Sequence, residues 1–377
     1  MHRLIPWALL IAGATACGEH PPSPAAPPVV YTAVERARSD SSAQLVASNT
    51  IDVDPRGNIY VADRWAIRVF APDGGLLRSI GRQGQGPGEF DALTSVEVMP
   101  GDSIYAFDAG TSRVTVFEPR AWRPAYTVRL GREQMFSPFE VHRVREGRSL
   151  VARFEAAYSE FDERAKKGRR LSVIRLLNAD GSLSRDSVLS VPERENLVLH
   201  DPEGVSVNPF GRGMSFAMAS RDRLVAAWSD SLRFDVYSVD GRHLQTVRPE
   251  WSPPRRRITA AERDSVVADL ANELVPEASI RRAVEEHGAT TWPLVQGMIV
   301  DDQDRVWMGI TGGRGEPHHW TAFDMRGARV AQVDLPVTAR LRLVRGSTAY
   351  AVDLDENDVP QVVVYDLKPT PTLASRR

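Results

Sequence analysis

The chain repeats itself. Ile59-Tyr60-Val61-Ala62-Asp63 returns as Ile104-Tyr105-Ala106-Phe107-Asp108, and Arg68-Val69-Phe70 returns within Arg113-Val114-Thr115-Val116-Phe117, an offset of about 45 residues. Within a copy, apolar residues alternate with polar ones, as at Ile51 and Val53, Ile59 and Val61, and Ile67 and Val69. Asp54-Pro55-Arg56-Gly57-Asn58 and Pro72-Asp73-Gly74-Gly75 separate or close these runs. Period-two patterning with Asp, Gly and Pro between the runs specifies short antiparallel strands joined by tight turns. A unit of this size cannot bury both faces of its sheet alone, so the copies must stack on one another.

Weaker copies follow. Arg223 to Trp228 leads to Phe234 to Gly241, and Asp304 to Gly309 leads to Trp320 to Gly327. The spacing predicts an all-β, six-bladed β-propeller, with blades starting near Asn49, Thr94, Phe139, Met214, Gln296 and Leu341. The last blade shows three strands, Leu341 to Val344, Thr348 to Val352 and Gln361 to Tyr365. Ala43 to Ala47, just before the first blade, is expected to supply the fourth and so close the ring. Two insertions break the rhythm. Glu155 to Arg170, inside blade three, reads as a charged hairpin extension. Residues 259–288, between blades four and five, read as helical: Thr259 and Glu262 form a capping box, Val266, Val267, Leu270 and Leu274 make an apolar stripe, and Gly288 ends the segment. That helical pair is expected to pack on the propeller's rim.

Composition suits a soluble folded chain: 42% of the 377 residues are hydrophobic and 25% charged, enough for a large core. A net charge of −2 offers no global attraction to nucleic acid or to an anionic membrane, and the Arg255-Arg256-Arg257 run is too small for a nucleic-acid footprint. The N-terminus reads as a targeting segment, with His2 and Arg3 ahead of a short apolar run from Leu4 to Gly13. Ala14-Thr15-Ala16-Cys17 follows, and Cys17 is the single cysteine, so no disulfide forms within the chain. A Pro- and Ala-rich tether runs on from it. The organisation is thus a signal peptide over 1–16, Cys17 and a tether over 17–35, the propeller over 36–368, and a disordered tail over 369–377.

Residues 50–130 resemble NHL repeats, carried by Gly57-Asn58-Ile59-Tyr60-Val61-Ala62-Asp63 and by the Gly-rich connector Gly81-Arg82-Gln83-Gly84-Gln85-Gly86-Pro87-Gly88-Glu89-Phe90. The residues before and including Cys17 resemble a bacterial lipobox, with Ala14 where Leu is usual, and the resemblance implies that Cys17 is lipidated. The whole chain is similar to bacterial six-bladed propeller lipoproteins of the NHL and TolB-like kind. The resemblance implies a monomer on the bacterial cell envelope, held by a lipid anchor alone. Gly18 after the cysteine implies the outer membrane, facing the periplasm or the cell surface. The Gly-rich connector leads into a further alternating run rather than a helix, which is not how a dinucleotide loop is built.

Two functional classes remain. One is a binding or scaffolding module, without cofactor, whose loops at one mouth of the channel hold a protein, peptide or carbohydrate. The other is a metal-assisted hydrolase or lyase like the propeller lactonases and lyases, with Ca or Zn gathered at the channel mouth. No catalytic constellation is legible, because the histidines are scattered and lack metal-ligand spacing. The candidate ligand-binding residues are Arg64 and Trp65 in blade one and Arg314, His318 and His319 in blade five, expected to converge at one mouth. Asp63 and Asp108 are expected to brace loops.

Overall fold

The turns come first, because they set the strands apart. Asp54 accepts from the backbone N–H groups of Arg56 and Asn58 at 2.8 and 2.9 Å, and Gly57 takes φ 86°. Asp301, Asp324 and Asp355 repeat this, accepting from the N–H groups two and four residues on, with Asp304, Gly327 and Asp358 at positive φ. A short carboxylate that replaces missing backbone partners makes each four-residue turn self-sufficient, and glycine supplies the left-handed residue without strain.

Strands joined by these turns build six four-stranded antiparallel blades in the computed structural model, which describes residues 27–371 apart from 48–49, 100, 119–120, 130–139, 144–149, 156–170, 178–181, 183, 185–187 and 193. Cys17, the signal segment, most of the charged insertion and the last six residues therefore lie outside the described residues. After β1 (Val29–Arg38), blade one is β2 (Ile51–Val53), β3 (Ile59–Asp63), β4 (Ala66–Phe70) and β5 (Leu76–Ile80). Blade two is β6 (Leu93–Val98), β7 (Ile104–Asp108), β8 (Arg113–Phe117) and β9 (Pro124–Arg129). Blade three is β10 (Glu140–Arg143), β11 (Leu150–Glu155), β12 (Leu171–Leu177) and β13 (Leu189–Pro192). A hairpin, β14 (Leu197–His200) and β15 (Glu203–Ser206), precedes blade four, which is β16 (Met214–Ala219), β17 (Arg223–Trp228), β18 (Phe234–Ser238) and β19 (His243–Val247). Two helices, α1 (Ala260–Leu270) and α2 (Glu277–His287), lead to blade five, β20 (Val295–Val300), β21 (Val306–Ile310), β22 (His318–Phe323) and β23 (Arg329–Leu335). Blade six has β24 (Arg340–Arg345), β25 (Thr348–Leu354) and β26 (Pro360–Pro369). The apolar core is divided into clusters, several of them between neighbouring blades. Ile59, Val61 and Phe70 meet Tyr350, Val352 and Val364 where blade one faces blade six.

The fourth strand of blade six is β1, antiparallel to β26 from Tyr31 opposite Pro369 to Arg38 opposite Val363. This corrects the assignment of Ala43 to Ala47 and draws the propeller's start back into the segment read as tether. Residues 41–43 form a 3-10 turn, and Val46 and Ala47 donate their N–H groups to Asp63 at 2.8 and 2.9 Å. One repeat later Asp91 and Ala92 donate to Asp108 in the same way. Ala43 to Ala47 is thus the connector into blade one, and Asp63 and Asp108 brace connectors as expected. β1 also runs parallel to β23, Val29 opposite Ala331, so it stitches the outer edges of blades five and six into one eight-stranded sheet.

The helical insertion carries its capping box at Thr259 and Glu262, and Gly288 caps α2 at φ 67°. Leu274 lies beyond the end of α1 and is 82% exposed, off the apolar stripe. Val266, Val267, Ile280 and Val284 pack on Leu197 and Leu199 of β14 and on Phe210, a small core of its own. The helices thus have the β14–β15 hairpin as partner, an element the repeat pattern does not announce. Arg255 and Arg256 are engaged rather than free in water: Arg255 pairs with Asp230 at 2.5 Å, and Arg256 pairs with Glu262 and lies over Trp292.

Candidate functional site

Each inner strand is the last in its sheet, so one row of its backbone N–H and C=O groups faces the axis without a strand partner. Side chains fill part of that gap. Thr50 Oγ1 accepts from Val96 N at 2.9 Å, and Asp52 accepts from Val98 N at 2.7 Å, linking the inner edges of blades one and two. Between the inner strands β2, β6, β16, β20 and β24 lies a cavity of about 750 Å³. Its walls mix apolar and polar groups, among them Phe216, Met298, Leu343, Thr50, Asp52 and Arg342.

Where the inner strands end, an ionic belt joins neighbouring blades. Arg345 pairs with Asp52 at 2.6 Å and donates to Val53 O, tying blade six to blade one. Arg56 meets Asp102 at 3.0 Å between blades one and two. Asp304 accepts from Ser220 N at 2.7 Å and pairs with Arg223 at 2.6 Å between blades four and five. Asp302 accepts from Gly346 N at 3.0 Å between blades five and six. Asp301 is filled by Arg305 and by the indole of Trp307. Burial lifts the Asp52 carboxyl to about 6, with Arg345 and the Val98 and Val53 N–H groups pulling the other way.

The other mouth is different. There Arg340 opens β24, and Arg342 follows two residues on. The pairing of β24 with β25 skips a residue between Leu341 and Leu343, so Arg342 is the extra residue of a β-bulge. Gln296 in β20 and Thr94 in β6 fall at the same kind of skip. A bulge redirects the side chain of its extra residue, and Arg342 lines the cavity. Water reaches it, yet enclosure by protein and repulsion from Arg340 both push its guanidinium pKa down. Among the described residues neither arginine has an ion pair or a hydrogen bond to an acceptor.

Of the candidate residues from sequence, none lines the cavity. Arg64 stacks on its own neighbour Trp65, 4.8 Å from the ring centroid, and Arg64 O accepts from Leu93 N at 2.7 Å. Arg314 donates to Ser265 of α1 at 2.8 Å. His318 and His319 are successive strand residues and point to opposite faces. His319 meets Asp334 of β23 at 2.7 Å, and His318 Nδ1 accepts from Gln296 at 2.9 Å. Only His318 joins the mouth: burial first, then Arg340, hold its pKa below the usual histidine value, against a hydrogen bond with the backbone of Val337. Sequence reading missed Arg340 and Arg342. Their signal was Arg340-Leu341-Arg342-Leu343-Val344-Arg345, an inner strand with three cations where Met214 to Ala219 and Val295 to Val300 carry none. Among the described residues, no group of three His, Cys, Asp or Glu side chains is placed to hold a metal ion.

No family model matches the chain, and no curated protein matches it. Solved structures do. A member of the DUF4221 family from Bacteroides vulgatus superposes with a TM-score of 0.54 at 10% identity, over 90% of this chain and 98% of that one. A protein from Bacteroides fragilis described as exported gives 0.51 at 12% identity, over 90% and 95%. A gluconolactonase from Xanthomonas campestris gives 0.45 at 10% identity, over 92% and 99%. At such identities the likeness is one of fold, and the chain is a six-bladed β-propeller whose activity is not given by its neighbours.

Proposed function

We propose that this protein is an exported, envelope-anchored propeller that binds a small solute in its central channel. The observation that carries the reading is the cavity of about 750 Å³ between the inner strands, a size that suits a small organic molecule. The belt at one end braces the blades around it, and the helical insertion, held by the Arg314–Ser265 contact, lies at the other end, where the solute enters. The exported character of the Bacteroides fragilis neighbour supports a place outside the cytoplasm. A lipid on Cys17 supplies the attachment, a reading supported by the resemblance of Ala14-Thr15-Ala16-Cys17 to a lipobox.

The channel is tested by filling it. Ala217 of β16 lines the cavity, and Ala217→Trp places an indole there. A panel of small organic solutes is screened by thermal shift against the full chain and this variant. At least one solute raises Tm of the parent and leaves the variant unmoved. Solutes that stabilise both chains equally, or neither, overturn the channel as the site. The anchor has its own measurement: Cys17→Ser moves the protein from the membrane fraction to the soluble fraction, and retention in the membrane contradicts lipidation.

A further inference from the structure

We infer that the channel solute carries an oxyanion group, a carboxylate or a phosphate, on an apolar body, and that Arg342 receives the anion inside the cavity while Arg340 meets it at the entrance. The inference rests on the channel being the binding site.

Three observations lead there. Arg342 is aimed into the cavity by a β-bulge, a device that breaks the ladder of blade six for one residue. It has no counter-ion among the described residues, and Arg340 repels it. Two guanidinium groups held near each other inside a wall raise the energy of the empty channel, and a bound anion relieves that repulsion. A guanidinium also fits a carboxylate or a phosphate with two parallel N–H donors, which a lysine does not.

Among the described residues, the acidic side chains of the lining do not compete. Asp52, Asp301, Asp302 and Asp304 are filled by Arg345, Arg305, Gly346 N–H, Ser220 and Arg223, and they belong to the belt end. Glu97 and Asp222 also have interactions of their own. Among the described residues the channel is therefore polarised along its axis, with cations that have no counter-ion at the entrance and carboxylates taken up by partners at the far end. Between them Phe216, Met298, Ile299 and Leu343 offer an apolar wall. That combination suits an organic anion with a hydrocarbon body better than a bare inorganic ion.

Hexanoate and phenyl phosphate are titrated into the full chain by calorimetry, with hexanol and inorganic phosphate alongside. At least one of the two organic anions binds, which of them binds telling a carboxylate ligand from a phosphate one, and hexanol binds more weakly. Arg342→Gln lowers the affinity of that anion on the order of tenfold or more, the loss expected for a charge-assisted bidentate contact. Arg342→Lys retains part of it. Affinity in the parent falls as salt is raised, a readout that holds even if a variant fails to fold. No binding of either anion, or equal binding by Arg342→Gln, overturns the assignment. If hexanol binds, Ala217→Trp blocks it and Arg342→Gln does not change it, the channel stands as the site and the anionic ligand falls.

Discussion

Arg345 and Asp52 show how the belt is held together. Asp52 is nearly buried, Arg345 is about one-third exposed (side-chain exposures of 14% and 36%), and their 2.6 Å contact joins the last blade to the first. Removing one partner of a buried pair commonly costs 3–5 kcal/mol; with Arg345 partly in water, Arg345→Met should cost roughly 2 kcal/mol. The loss depends on pH. The Asp52 carboxyl sits at about 6 in the folded chain, above the roughly 3.9 of an unfolded aspartate. The folded state thus keeps a proton that the unfolded state releases, and this contribution favours folding at low pH and fades as pH rises through about 6. Without Arg345 the carboxyl rises further, so Arg345→Met is destabilised most at pH 8 and least at pH 5. Urea unfolding of both chains across that range checks it, and a deficit that does not vary with pH contradicts the role given to Asp52.

Strands announced themselves wherever turn chemistry and alternation coincided. Asp54-Pro55-Arg56-Gly57-Asn58 carries in its letters the carboxylate and the left-handed glycine that the hairpin uses, and the helical insertion was legible from its capping box. The closing strand was not. Val29 to Arg38 has Glu35, Arg36 and Arg38 among its residues and follows a Pro-rich run, so its first seven residues read as tether; its place comes from pairing with β23 and β26, hundreds of residues away. The β14–β15 hairpin escaped for a related reason: its apolar residues pack on α1 and α2, not on a neighbouring blade. The site was least legible. Arg64, Trp65, Arg314 and His319 have loop-like sequence surroundings, but each is taken up by a nearby partner. Arg342 lies inside a strand, and only the skipped residue in the ladder turns it to the axis.

At the scale of the molecule, the cavity exists only because the ring closes. Blades six and one must meet for Arg345 to reach Asp52, and β1 covers the backbone edge of β26 that would otherwise invite another chain. The most direct measurement is a cross-link across that seam. Thr32 and Lys368 are opposite one another in the β1–β26 ladder, and both are exposed. The spacing of antiparallel partners suits a disulfide. Replacing Cys17 with serine leaves Thr32→Cys and Lys368→Cys as the only thiols in the chain. Mild oxidation should then give a monomer that migrates faster without reductant and regains its mobility with it, whereas a Gln44→Cys and Lys368→Cys pair should not cross-link. A cross-link in the second pair and none in the first would contradict closure by the N-terminal strand.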